Sequence, residues 1–335
     1  MLCGRNSTLA VAEWCRDEQD MLKQLFGPRK YYCPDDSLYR KLLPRLDASQ
    51  VEGALADWIR MTLRAPSDEP IALDGKTVRG AGTQDQKAPH LLSFCTHHSQ
   101  ETLLQIRVGE KTNEILIALA FLPVLPVAGR VFTADALHTH VPFFQAIQAL
   151  GGDAVFTVKD NQPTLQEHVA RYFADPLASF EEDETIDLQR GRKEVRSIKV
   201  TSTLCDYLQQ DWPGVAQVAQ LTRTVTTKKT GETSIEIVYL ITTLSREQAS
   251  PQRLLELVRG HWCIENRSHD VRDVTFLEDR SRLRTGNAPQ ILAALRNLVI
   301  TLIHRHGSSQ IAATRRSLSC HPDRAFAWLL GPQAA

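Results

Sequence analysis

Three acids stand in this chain where their neighbours favour chemistry: Asp74, Asp135 and Glu265. Asp74 closes the apolar run of "IALDGKTVRG" (71–80), Asp135 sits late in "VFTADALHTH" (131–140), and Glu265 lies within "RGHWCIENRSHDVRDVTFLED". If the runs ending at Asp74 and Asp135 are neighbouring strands, they lie about 4.8 Å apart. A divalent cation between the two carboxylates then removes their repulsion. Mg2+ takes a few carboxylate oxygens and completes its shell with water and phosphate oxygens. A third acid arriving from a helix can hold a second ion, and two ions about 3.5–4 Å apart clamp an in-line phosphoryl displacement. The chemistry so indicated is phosphoryl transfer on a polyanion.

Taken singly, each acid has a plainer reading. Asp-Gly after an apolar run is ordinarily a turn, Asp within "TADA" a cap, and Glu among many charges a surface ion pair. Gly75-Lys76-Thr77 is not a nucleotide-phosphate loop, because that motif needs another glycine five positions before its Gly-Lys and position 70 is Pro70. His138-Thr139-His140 lacks a third and fourth ligand at zinc spacing. His97-His98 and the thiols near His261 fare no better.

The elements that must position these residues follow from periodicity. "QVEGALADWIRMTL" repeats its apolar residues at helical spacing within a helical region, 1–69, whose first helix begins almost at the initiator. "IALD", "HLLSFCTH" and "TLLQIRVG" read as strands, the last two separated by "HSQE". "NEILIALAFLPVL" is a helix with Asn113 as its cap, "RVFTADAL" a strand, "VPFFQAIQALGG" a helix closed by glycine, and "DAVFTVKD" a strand. Three strands followed by alternating helix and strand predict a mixed sheet with helices packed on it. The acidic run "EEDE" (181–184) reads as solvated surface.

From about 186 to 244 the chain is rich in Thr, Val and Ile, with "KKTGET" (228–233) as a hairpin turn, and reads as a separate antiparallel segment. Helix resumes at Ser250-Pro251. Val258, His261, Glu265, Ser268 and Arg272 are spaced to share one helical face, with Leu254, Leu257 and Ile264 packing beside it. "NAPQILAALRNLVITLIHRHG" and "PDRAFAWLL" give two later helices. The predicted segments are 1–69 helical, 70–185 the first part of an α/β core, 186–245 a β-rich insertion, 246–310 the second part with the Glu265 helix, and 311–335 a helical tail.

Composition narrows the class without choosing within it. The 335 residues are 42% apolar and 23% charged, as in ordinary globular proteins. Formal net charge is +0, so any affinity for nucleic acid has to come from local basic patches. The seven cysteines are odd in number and never spaced Cys-x-x-Cys, which predicts free thiols in a reducing compartment. "EILIALAFLPVLPVAG" is too short and too proline-broken to span a bilayer. A cytoplasmic location is expected.

Four stretches, in order, carry a resemblance that covers nearly the whole chain: "IALDGKTVRGA" (71–81), "VFTADALHTH" (131–140), "GGDAVFTVKDNQPTL" (151–165) and "HWCIENRSHDVRDVTFLEDRSRLRTGNAP" (261–289). The chain resembles the H-repeat-associated transposases of bacterial insertion sequences, a branch of the DDE transposases. The resemblance implies a ribonuclease-H-like mixed sheet flanked by helices, interrupted by an antiparallel insertion between the second Asp and the Glu. It implies Asp74, Asp135 and Glu265, separated by 61 and 130 positions, as a catalytic triad holding two Mg2+ ions, for which Mn2+ can substitute. The implied reaction cleaves DNA at the element's end and joins the freed 3′-hydroxyl to target DNA.

The implied partners are double-stranded DNA and a second copy of the chain on that DNA, in a nucleoid-associated setting. Lys159, Asn161 and Gln162 fall in the family's "K-x-N-Q" stretch and are expected near the metal or DNA. Lys76, Arg79, His261, Asn266, Arg272, Arg282 and Arg284 are the other expected DNA contacts, with Arg280, Arg296, Arg305, Arg315 and Arg316 as further cations. Wider relatives carry a Tyr-Arg-Glu-Lys signature where this chain has Val258, His261, Glu265 and Arg272, and the branch often shows His-Trp in place of His269-Asp270. The family's N-terminal helical region is expected to be clipped here. Two rivals stand beside transposition: a truncated remnant that keeps the fold, and a stand-alone metal-dependent nuclease that ignores terminal repeats.

Overall fold

The computed structural model describes residues 1–27, 32–63, 68–84, 87–109, 112–189 and 191–330, with the backbone alone at 60, 62, 63 and 266. Within them run nine strands: β1 (Ile71–Thr77), β2 (His90–Thr96), β3 (Thr102–Val108), β4 (Val131–Ala134), β5 (Asp153–Val158), β6 (Glu181–Gln189), β7 (Arg192–Thr201), β8 (Gln217–Thr227) and β9 (Thr233–Thr242). The chain is α/β, with a mixed sheet flanked by helices. It divides into two compact units and passes between them four times, at 66/67, inside β1 between Asp74 and Gly75, at 109/110, and between Cys263 and Ile264.

One unit comprises Ser67–Asp74 and Glu110–Cys263. Its strands run in the order β1-β4-β5-β9-β8-β7-β6. The pairs β1–β4 and β4–β5 are parallel, and every pair from β5 to the β6 edge is antiparallel. β5 is buried on both faces, as a central strand must be when helices cover each side. Val155 faces a core with Ile198, Leu221 and Leu240, onto which Leu254, Leu255 and Leu257 pack from the Pro251–His261 helix. Phe156 faces the other way, its ring stacked on Phe143 at 5.6 Å from the Val141–Ala149 helix.

Local signals account for the boundaries. Asn113 accepts from Leu116 N at 2.9 Å and starts the Glu114–Phe121 helix. Ser250 caps the Pro251–His261 helix, with proline in its first turn. Gly151 (φ +77) supplies the left-handed residue after the Val141–Ala149 helix. The Thr/Val/Ile-rich segment is not separate, because β9 pairs with β5 (Val155↔Thr242 to Val158↔Tyr239) and carries the sheet onward. "EEDE" is part of it too, forming the first half of the edge strand β6. There the four acids lie alternately half-buried and exposed, and charges on an edge strand discourage pairing with other chains.

The other unit comprises Met1–Pro66, Gly75–Gly109 and Ile264–Ala335. It contains the β2–β3 antiparallel hairpin and the helices Thr8–Asp17, Gln19–Phe26, Asp36–Leu42, Ala48–Leu63, Ala288–Arg305, Ile311–Cys320 and Pro322–Leu330. The Ala288–Arg305 helix is buried along most of its length, its Val299, Ile300, Leu302 and Ile303 packing with Leu2, Phe276, Ile311 and Leu318. Asn287 precedes this helix but makes no side-chain cap, and its amide donates instead to Leu46 O at 2.8 Å. Among the described residues no disulfide joins any of the seven cysteines. Among the described residues no helix is long and apolar enough to cross a membrane.

Candidate active site

Parallel register brings the first two acids together. Ile71, Ala72 and Leu73 pair with Phe132, Thr133 and Ala134, so Asp74 and Asp135 are the next residues on adjacent strands. Strand spacing sets them about 4.8 Å apart along the sheet. The apolar residues before each acid are buried, while Asp74 is half-buried and the Asp135 side chain is 48% exposed. Both carboxylates therefore sit where an apolar run gives out, Asp74 within β1 and Asp135 just past β4.

Asp135 is held by its own turn. Residues Ala136–His138 form a single 3-10 turn after β4, which returns His138 to Asp135. Nδ1 of His138 lies 2.8 Å from Asp135 Oδ1, and Nε2 lies 2.9 Å from Glu114 Oε2. Burial alone would push His138 down, but hydrogen bonds to Asp135 and Glu114, with their charges, lift it to about 9. Burial likewise favours the neutral form of Asp135, and the imidazolium outweighs it, holding the carboxyl below its ordinary value. Ionised and partly exposed, Asp135 has the donor character that a hard divalent cation requires.

His261, at the end of the Pro251–His261 helix, stands in the field of both acids. Its Nδ1 lies 3.1 Å from Thr133 Oγ1. Burial holds its pKa below the ordinary value even though Asp74 and Asp135 favour the charged ring. A neutral imidazole beside the two carboxylates leaves their negative charge for another cation.

The third acid is placed differently from the helical expectation. The helix ends at His261, and Ile264–His269 form a π-helical turn. Wider winding breaks the spacing of three and four that would carry Val258, His261, Glu265, Ser268 and Arg272 on one face. Glu265 is exposed on that turn. Among the described residues no group of three or more His, Cys, Asp or Glu side chains is clustered closely enough to hold a metal ion. Asp74 and Asp135 are the two that the strands themselves bring together.

The expected DNA contacts separate into three groups. Arg79, Lys159, Arg282 and Arg284 are exposed, as are Arg280 and Arg316. The side chain of Asn266 lies outside the described residues. Asn161 and Gln162 brace the turn beyond Asp135: Nδ2 of Asn161 donates to Ala136 O at 2.5 Å, and Nε2 of Gln162 to Thr139 O at 2.8 Å. Lys76 is paired, its Nζ 2.6 Å from Asp273 Oδ2 with its side chain 10% exposed.

Arg272 requires correction. It is fully buried and donates both Nε and Nη2 to Glu278, which Arg296 also contacts through Nη1 at 2.9 Å. A guanidinium with no solvent exposure and a carboxylate already in its fork cannot grip a DNA phosphate. Arg296 is excluded for the same reason, and Arg315 is buried against Phe276 and the Met1 and Thr275 carbonyls. Arg305 is paired with Glu101 at 2.6 Å.

A transposase DDE domain model matches residues 65–302, most of the chain and every acid discussed above. The chain belongs to the transposase DDE domain family. It is 26% identical to the "H repeat-associated putative transposase YhhI" of Escherichia coli over 97% of this chain and 88% of that protein. It is 31% identical to an uncharacterised protein encoded in the dhlA 3′ region of Xanthobacter autotrophicus, over 64% of this chain and 74% of that one. A solved piggyBac transposase, in a synaptic complex with hairpin DNA, superposes with a TM-score of 0.42 at 15% identity, covering 96% of this chain and 64% of that one. At that score the likeness bears on neither fold nor function.

In this DDE domain no local signal marks Glu114 as a partner, because it lies 21 positions before Asp135 in the first turn of a different helix. His138 was visible, but as half of a His-x-His pair. The useful signal was its i, i+3 spacing from Asp135, which a 3-10 turn brings onto one side.

Proposed function

We propose that this chain is a transposase that cleaves DNA strands and transfers them by phosphoryl transfer, with Asp74, Asp135 and Glu265 as its catalytic and metal-holding acids. The observation that carries the proposal is the parallel register of β1 and β4, whose next positions after Leu73 and Ala134 are Asp74, within β1, and Asp135, just past β4. Bound Mg2+, or Mn2+ in its place, supplies Lewis-acid stabilisation of the phosphate and a water of lowered pKa.

The chain's own residues do the rest. Asp74 and Asp135 offer oxygens on adjacent strands, and Asp135 stays ionised through its bond to His138. His261 remains neutral and adds no competing charge. Glu265, on an exposed π-helical turn, is the third acid, and such turns recur at functional sites. Arg79, Lys159, Arg282 and Arg284 are the exposed cations available to DNA phosphates. Double-stranded DNA bearing the element's ends is the proposed substrate, and a second copy of the chain on that DNA the proposed partner.

The test is nicking of DNA that carries the element's terminal repeats, in Mg2+ and in Mn2+. Asp74→Asn, Asp135→Asn and Glu265→Gln should each abolish it while leaving the circular dichroism spectrum intact. Nicking by any of the three at the parent rate overturns that residue's assignment. Equal cutting of DNA without the repeats identifies a general nuclease instead. DNA binding without nicking by the parent chain identifies a remnant.

A further inference from the structure

Asp135 is anchored on one side. Its Oδ1 meets His138 Nδ1 at 2.8 Å, while the side chain as a whole stays 48% exposed. The histidine is itself held at both edges, since its Nε2 lies 2.9 Å from Glu114 Oε2 and its side chain is 1% exposed. An ionised carboxylate only accepts, so the ring points a donor at Asp135 Oδ1 while its other edge stands in ion-pair contact with Glu114. That fixes the plane of the ring as well as its position.

The turn beneath is fixed from several directions. His138 N donates to Asp135 O at 3.2 Å, and Thr139 N to Ala136 O at 3.0 Å. Thr139 Oγ1 donates to Thr157 O at 2.6 Å on β5, and Asn161 and Gln162 donate to the carbonyls of Ala136 and Thr139. Glu114 comes from the first turn of a helix capped by Asn113. A side chain held this firmly has little freedom left to give up when a ligand arrives. Asp135, by contrast, would rotate freely at a strand end without its hydrogen bond.

We propose that His138, held in place by Glu114, is a positioning residue that fixes Oδ1 of Asp135 and so presents Oδ2 to a divalent cation. The proposal rests on the metal-holding role of Asp135 and adds the two residues that give its carboxylate one orientation. Partners behind a ligating carboxylate typically contribute 10–100-fold to metal affinity or activity.

Asparagine and glutamine separate positioning from packing, because the Asn amide nitrogen can stand near the Nδ1 position of histidine and the Gln nitrogen nearer Nε2. Mn2+ affinity of the full chain is measured by isothermal titration, and kcat and KM by DNA nicking. His138→Ala and His138→Gln should weaken Mn2+ binding about 10–100-fold and lower kcat, with KM for DNA unchanged. His138→Asn, which restores a donor to Oδ1, should recover most of both. Equal loss in the Asn and Gln variants, or parent-like Mn2+ affinity in His138→Ala, overturns the proposal.

Asp135→Asn run alongside keeps the two failures apart. If it binds Mn2+ like the parent, the role of Asp135 itself is wrong. If it loses Mn2+ while the His138 variants do not, only the positioning role falls. Should His138→Ala fail to fold, Glu114→Gln carries the test: weaker Mn2+ binding by the folded variant supports the proposal, and parent-like binding overturns it.

Discussion

Arg272 and Glu278 meet with neither side chain exposed to solvent, Nη2 donating to Oε1 at 2.7 Å and Nε to Oε2 at 3.0 Å. Arg296 adds a second guanidinium at 2.9 Å. Burial would raise the pKa of Glu278, but the two arginines outweigh it and keep the carboxyl below its ordinary value. Taking one member from a buried pair leaves an uncompensated charge, which costs about 3–5 kcal/mol. Glu278→Gln, which strands two cations, should lower the urea-unfolding free energy by that order, and Arg272→Met by less, because Arg296 still faces the carboxylate. A loss below about 1 kcal/mol would mean that water reaches the cluster.

That cluster also marks where sequence reasoning stops. Strands β1 to β5, the hairpin turn between β8 and β9, and the caps at Asn113 and Ser250 were legible, because alternation and turn residues are local properties. The pairing of β1 with β4, across 61 positions, stood only as a condition, and the first half of β6 read as solvated surface. The burial of Arg272 was not. Nothing in "VRDVTFLED" distinguishes an arginine aimed at DNA from one aimed at Glu278, since the difference lies in the Ala288–Arg305 helix that covers both and supplies Arg296. The π-helical turn at Glu265 was hidden for a related reason. Its residues, Ile264–His269, are all ones that an α-helix accepts, so a change of winding leaves no compositional trace.

Asn161 and Gln162 act through the turn after Asp135. Each donates to a backbone carbonyl, at Ala136 and Thr139, and a hydrogen bond of this kind contributes about 0.5–1.5 kcal/mol. Asn161→Ala and Gln162→Ala should therefore lower kcat for nicking and shift the urea midpoint modestly, without changing DNA affinity. Lys159 is exposed two residues before Asn161, and Lys159→Ala should do the opposite. Filter binding and single-turnover nicking on the same variants separate the two outcomes.

Arg282 and Arg284 stand exposed on the segment before the Ala288–Arg305 helix. If they contact phosphates, each contact releases counterions, and the slope of log affinity against log salt falls by about 0.9 per contact removed. Fluorescence anisotropy across a NaCl series should show Arg282→Ala and Arg284→Ala binding more weakly at low salt with a shallower slope. Arg305→Ala, which breaks a pair with Glu101, should leave the slope unchanged and lower stability instead. An unchanged slope in both exposed variants would remove them from the DNA surface.

Glu52, in the Ala48–Leu63 helix, ties stability to pH. Burial raises its pKa to about 7, while the amides of Gln105 and Gln290, donating at 2.7 and 3.0 Å, oppose the rise only in part. The unfolded value is near 4.5, so the folded chain binds the proton more tightly than the unfolded chain does. The stabilisation is then complete below about pH 4.5 and is lost as pH climbs through about 7, because the carboxylate must be buried with its charge. Over that window the parent should lose on the order of 2–3 kcal/mol relative to Glu52→Gln. Urea midpoints at pH 5, 6, 7 and 8 measure the difference directly. Parallel curves for the two proteins would mean that Glu52 is already ionised at pH 5 in the folded state, and that the amides of Gln105 and Gln290 outweigh its burial.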